Sequence, residues 1–184
     1  MAVKELLGQL HEVAECPRKQ LERYLGEGRK VIAMAPVYGP QEIVHSMGLV
    51  PMGVWGADVE INEAKKYYPA FICSVMQTIL ELGIKGEYKG VSAIIIPSLC
   101  DSLKTLGQNW KYAVADIPFI PMTYPQNRKQ DYGIKFTRAG YGRVISSLEV
   151  ATGARFSEPA LVKSNAIYNE HNRVMREFAE IASY

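Results

Sequence analysis

The run Val91-Ser92-Ala93-Ile94-Ile95-Ile96 limits what this chain can fold into more than any other feature. It is apolar almost throughout and β-branched at Val91 and the three isoleucines. A strand apolar at successive positions has no solvent face, so it belongs in a parallel sheet covered on both sides. The run is far too short to cross a bilayer, which takes about 20 residues. Shorter apolar runs of the same kind occur at 31–35 and 50–55, and 117–122 is a fourth strand whose prolines suit an edge.

Helical patterns separate these runs. Leu6, Leu10, Val13, Leu21 and Tyr24 have helical spacing over 3–25, with Pro17 beginning a second piece and Gly26 and Gly28 ending it. Pro40 opens a helix through Met47, closed by Gly48, and residues 57–68 read as a polar loop with at most a helical turn. Pro69 suits the first turn of a helix to Leu82 that Gly83 ends. Residues 101–113 form a further helix. Beyond Asp131, Tyr141, Val144, Ile145 and Leu148 make one apolar stripe ending at Gly153. Ser157 and Pro159 then start a long helix whose face carries Leu161, Tyr168, Met175 and Phe178.

Alternating strands and helices give an α/β, Rossmann-like (flavodoxin-like) fold: a parallel four-stranded sheet with helices on both faces. Right-handed crossovers make the strand order 2-1-3-4. The expectation is a single α/β domain over 1–184, with a sheet core over 1–130 and C-terminal helices over 131–184. Ligands in such sheets bind beyond the carboxyl ends of the strands at the switch point, here between strands one and three. The segments 36–41 and 97–102 follow those strands.

The charge of +2 and the absence of a basic stripe argue against nucleic acid as a partner. Acidic residues interrupt the N-terminus where a signal peptide needs an apolar core. The three cysteines, Cys16, Cys73 and Cys100, are odd in number and lack a C-x-x-C pair, which suits a reducing, cytoplasmic setting rather than a disulfide framework.

Cys100 follows strand three directly and precedes a helix; Cys73 lies in the first turns of the helix leading towards that strand. A helix N-terminus favours the thiolate, the form that ligates metals and attacks electrophiles. The competing reading is that a free cysteine is a small apolar filler in the core. Cys16, between two helical pieces, fits packing or partial exposure. His11, His45 and His171 lack metal-ligand spacing, and Asp58, Glu60 and Glu63 read as a solvated loop. No dinucleotide fingerprint or phosphate loop follows strand one, and no Ser-His-Asp triad can be assembled.

Three linked segments carry more than their spacing does. They are Gly39-Pro40-Gln41-Glu42-Ile43, Ala70-Phe71-Ile72-Cys73-Ser74 and Pro97-Ser98-Leu99-Cys100-Asp101. In this order they resemble the 2-hydroxyacyl-CoA dehydratase and benzoyl-CoA reductase family, in its D-component type of subunit, from about residue 20 onwards. The resemblance implies a 4Fe-4S cluster held by three cysteines, of which Cys73 and Cys100 match the first two. The third ligand of the family is absent from this chain, as is the second family domain, since such subunits are about twice as long.

The resemblance also implies an acyl-CoA substrate, a sister subunit in a heterodimer, and an ATP-dependent activator iron–sulfur protein that supplies one electron. Water then leaves a 2-hydroxyacyl-CoA through a ketyl radical, or a related reductase reduces an acyl-CoA. Glu42 and Tyr38, after strand one, are candidates for contacting substrate, and Glu42 reads equally as a surface residue at a helix start. The alternative from another class is a non-catalytic acyl-CoA-binding or interaction module that keeps the fold. A zinc or thiol-redox protein is a third, and two cysteines fall short of a structural zinc site. Without the second domain this chain alone is expected to be inactive, and a homodimer of the chain would cover apolar surface left exposed.

Overall fold

The structure, a computed structural model, describes residues 3–36 and 38–182. Four parallel strands form one sheet: β1 (Val31–Met34), β2 (Val50–Gly53), β3 (Ala93–Pro97) and β4 (Phe119–Met122), in the order β2-β1-β3-β4. This is the order expected from right-handed crossovers. The register sets Ile32 against Pro51 and Ala93, and Ile96 against Pro121. Pro51 and Pro121 therefore lie on edge strands, where a missing N–H costs no ladder bond.

Among the described residues, seven helices complete the fold: α1 (Val3–Glu15), α2 (Pro17–Gly26), α3 (Gln41–Ser46), α4 (Ser74–Ile84), α5 (Asp101–Ala113), α6 (Asp131–Thr152) and α7 (Glu158–Ala182), with one 3-10 turn at Ala64–Lys66. The pleat of the central strands divides the core in two. Val31, Ala33, Ile94 and Ile96 point towards α2, α4 and α5, where Leu21, Ile79, Leu80, Leu106 and Trp110 meet them. Ile32, Met34, Ala93 and Ile95 point the other way, towards Ile43 and Val44 of α3 and Val144 and Leu148 of α6. Period-two alternation is what a strand buried on both sides requires.

Every connection from strand to strand passes through a helix, so each helix that follows a strand runs back against it. Helices α4 and α5 cover the same face and pack on one another. Both run from the carboxyl edge of the sheet to its amino edge, so their N-termini lie at the same edge.

Helix α4 departs from the sequence expectation at both ends. It begins at Ser74, not Pro69; residues 69–72 form a separate turn closed by Ile72 N–H donating to Pro69 O at 3.2 Å. The buried Gln77 side chain donates to Ile72 O at 2.7 Å, which takes that carbonyl out of the helical ladder. At the far end the left-handed residue is Gly86, at φ 82°, while Gly83 lies inside the helix. A Cβ on Gly83 would stand 2.9 Å from Cη2 of Trp110, so the absent side chain is what lets α5 approach.

The terminal helices carry apolar residues on exposed faces. Leu6, Leu10 and Val13 of α1 and Met175 and Phe178 of α7 are exposed, and they keep the helical spacing read from the sequence. Helix α7 packs on α3, and Leu161 near its start joins the core on that side. Among the described residues, no helix is long and apolar enough to cross a membrane.

The Gly83 contact gives a test. Gly83→Leu should lower stability by about 2 kcal/mol through overpacking against Trp110. An unchanged urea midpoint would contradict the close packing of α4 on α5.

Candidate functional site

Cys73 and Cys100 occupy equivalent positions: each is the residue before a helix, at the N-termini of α4 and α5. Cys100 has extended backbone, at φ −145°, and its Sγ accepts from Leu103 N–H at 3.4 Å. Cys73 makes no such side-chain cap. Both residues are exposed, so neither is a core filler. Cys16 is half-buried just before α2, as its sequence context suggests.

The segment leading into Cys73 is held by side chains from α4 and α5. Glu81, fully buried on α4, accepts from Ala64 N–H at 2.8 Å. Its other oxygen faces Lys85 Nζ at 3.0 Å, and that ammonium also donates to Glu60 O at 3.3 Å. Asn109 of α5 donates to Tyr67 O at 2.8 Å. With Gln77 on Ile72 O, these bonds fix residues 60–72 from both helices. The polar loop of the sequence is thus an anchored strap that delivers Cys73 to the carboxyl edge.

Burial pushes the Glu81 carboxyl up, but the Ala64 and Asn62 N–H groups and Lys85 outweigh it, and the group is held below its ordinary value. The charged form is what the fold stabilises.

Glu42 and Tyr38 lie at the same edge, on the side of the sheet covered by α3. Tyr38 is exposed, and its carbonyl accepts from the Tyr124 hydroxyl at 2.9 Å. Glu42, half-buried in the first turn of α3, is tied to α7 through its backbone: Ser164 Oγ donates to Glu42 O at 2.9 Å. That bond uses the only hydroxyl hydrogen of Ser164, so at 2.9 Å from His45 Nδ1 the serine accepts, and the imidazole carries its proton on Nδ1. Burial, then the neighbouring Tyr141 and the Glu42 charge, raises Tyr124; burial and Glu42 raise Tyr168. The Glu42 carboxylate therefore stands among phenols that stay protonated.

The structure brings the cysteines to neighbouring helix starts and sets Glu42 and Tyr38 at the same edge on the other face. Sequence reasoning missed Glu81, Tyr124 and Ser164, and it took His45 for an ordinary polar-face residue. Their roles depend on partners 17 to 122 residues away, which no local pattern encodes. Among the described residues no group of three or more His, Cys, Asp or Glu is placed to hold a metal ion. Two exposed thiols suit corners of an iron–sulfur cluster chemically, and by count they fall short of a complete set.

A parallel sheet in the order 2-1-3-4, with its polar and thiol side chains at the carboxyl edge near the switch point, defines a Rossmann-like α/β protein. Comparison narrows the class: the sequence profile of the 2-hydroxyglutaryl-CoA dehydratase, D-component family matches residues 36–184, and the chain belongs to that family. It is 43% identical to the (R)-phenyllactyl-CoA dehydratase beta subunit of Clostridium sporogenes, over 94% of this chain and 46% of that protein. It is also 43% identical to the beta subunit of lactoyl-CoA dehydratase from Anaerotignum propionicum, over 98% of this chain and 48% of that protein. A benzoyl-CoA reductase subunit of Thauera aromatica is 30% identical over 81% of this chain and 39% of its own length. The chain thus spans about half the length of the curated relatives it matches, or less.

Glu81 yields the prediction here. Its carboxylate has a depressed pKa in the folded state, so its contribution is present above the ordinary value of 4.5 and is lost as pH falls through the folded one. Glu81→Gln should cost about 2 kcal/mol at neutral pH, flatten the acid limb of the stability curve, and speed amide exchange over 60–72. Unaltered exchange in that strap would show that Glu81 does not hold it.

Proposed function

We propose that this chain is the N-terminal domain of an iron–sulfur subunit of a radical 2-hydroxyacyl-CoA dehydratase. The observation that carries the reading is the pairing of Cys73 and Cys100, both exposed, at the starts of two adjacent parallel helices within the family match. Identity of 43% to dehydratase subunits against 30% to a reductase subunit favours dehydration over reduction.

Cys73 and Cys100 would hold two corners of a 4Fe-4S cluster, with a third thiolate supplied from outside residues 1–184. When bound, such a cluster supplies one-electron chemistry at a substrate thioester. The chain's own part is to orient the ligands and guard the edge. The Leu103 N–H donates to Cys100 Sγ and so orients that sulfur. The strap over 60–72 fixes Cys73 from α4 and α5. Glu42 is the proton-moving carboxylate, held in place through Glu42 O by Ser164, and Tyr38 lines the approach, held through its own carbonyl by Tyr124. A sister subunit and an ATP-dependent activator complete the system, in the cytoplasm.

The second reading, an acyl-CoA-binding or interaction module without a cluster, draws on the lack of a three-ligand group among the described residues. Anaerobic reconstitution separates the two. The proposal expects iron and acid-labile sulfide that fall in Cys73→Ser and Cys100→Ser and stay unchanged in Cys16→Ser. It expects no dehydration of a 2-hydroxyacyl-CoA by this chain alone, because a cluster with two protein thiolates leaves the site open to water. Iron uptake indifferent to both cysteines would favour the binding module.

A further inference from the structure

Helix α6 carries its charges differently from its neighbours. Along α2, α5 and α7 a cation pairs with a carboxylate three or four residues away: Arg18 with Glu22, Lys104 with Asp101, and Arg173 with Glu170. Such pairs are the ordinary surface use of helical cations. Lys135, Arg138 and Arg143 of α6 have no ion pair and no side-chain hydrogen bond among the described residues. No carboxylate stands between Asp131 and Glu149, so their charge is left for something outside the chain.

This face of α6 borders a groove of about 610 Å³ against edge strand β4. Arg143, Ser146 and Ser147 line it, Ala139 and Gly142 form a floor of small residues, and Pro121 of β4 closes the far side. A Cβ on Gly142 would meet no atom within 4 Å, so the floor is open space rather than a packing contact. Lys135 and Arg138 stand one turn before Ala139 and Gly142 and continue the same face. The Ser146 and Ser147 hydroxyls make no hydrogen bond among the described residues. Thr137 and Thr152 of the same helix do, each donating to the carbonyl four residues back at 3.0 and 2.6 Å.

The groove thus offers cations and hydroxyl donors with no carboxylate among them, a set that selects an anion rich in acceptor oxygens. Arginine forks match phosphate oxygens in particular. From Lys135 to Arg143 the helix rises about 12 Å, too far for one phosphate to engage all three cations, whereas linked phosphates can. Pairing of a further strand does not suit the place. Pro118 O and Met122 O accept from β3, so Pro121 turns outward at the free edge and has no N–H to give.

We infer that this groove binds a ligand carrying two or more linked phosphates. A free nucleoside diphosphate and the nucleotide end of coenzyme A share that chemistry, and only the second source rests on the dehydratase reading. The groove shares no residue with the cysteine edge and needs no cluster to form.

Pyrophosphate, ADP and acetyl-CoA, each titrated into the full chain by isothermal calorimetry at low salt, test this. Saturable binding of all three is expected, at about millimolar strength for pyrophosphate. Arg143→Gln should weaken pyrophosphate about tenfold, the loss expected of a hydrogen bond to a charged group. Ala139→Glu, which sets a carboxylate one turn from both Lys135 and Arg143, should abolish binding. Both changes put good helix formers at exposed positions, so the fold is kept. Lys19→Gln, the same loss of charge at an exposed position of α2, should leave binding unchanged. Cys73→Ser and Cys100→Ser should leave it unchanged too, so failure of the cluster reading would not touch this result. Tighter binding of acetyl-CoA than of ADP assigns the groove to the coenzyme, and the reverse assigns it to a free nucleotide. Absence of saturable pyrophosphate binding, binding that survives Ala139→Glu, or an equal loss in Lys19→Gln would overturn the site.

Discussion

Strands β1 and β3 bury every residue from Val31 to Met34 and from Ala93 to Pro97, and the rest of the molecule answers to that two-sided burial. Helices must cover both faces, because an uncovered face would leave residues such as Ile32 or Ile94 in water at roughly 25 cal/mol per Å². Covering them through parallel crossovers sends every strand-following helix back along the sheet. The starts of α4 and α5 then share the carboxyl edge with the loop after β1. The position of the two cysteines is thus a consequence of the core, since each sits where the chain turns into its helix at that edge.

Exposure at the edge has a structural cost, and the strap over 60–72 shows how it is met. Twenty residues separate the end of β2 from the start of α4, and a segment of that length would be mobile if left to itself. Glu81 instead sits fully buried beneath it and offers its carboxylate to the strap's own amide. A buried charge is tolerable only when paired and hydrogen-bonded, and Lys85 and the Ala64 N–H meet both conditions. A similar fastening recurs across the sheet, where Ser164 and His45 tie α7 to the backbone of α3.

The fold was legible because its determinants are local. The isoleucine run, the prolines of the edge strands and the glycine at 153 each state a constraint within a few residues. Strand order and both core faces follow from them. The cysteines were legible as candidates through the order of three short segments, while their exposure was not, since a cysteine in sequence reads as readily as a filler. Leu6 and Leu10 in α1 and Met175 and Phe178 in α7 have the period of buried residues, yet period shows only that a face is apolar and not what covers it. The start of α4 was misplaced because Pro69 is a good first-turn residue, and the competing claim of Gln77 on Ile72 O is invisible locally.

The central claim is that the fold itself, before any cofactor binds, sets Cys73 and Cys100 side by side at one edge. Nitroxide labels on both cysteines, in a Cys16→Ser background, measure this most directly by continuous-wave electron paramagnetic resonance. Adjacent parallel helix starts predict dipolar broadening in the doubly labelled chain that vanishes when either Cys73→Ser or Cys100→Ser removes one label. A doubly labelled spectrum equal to the sum of the two single-label spectra would place the thiols apart and contradict the account.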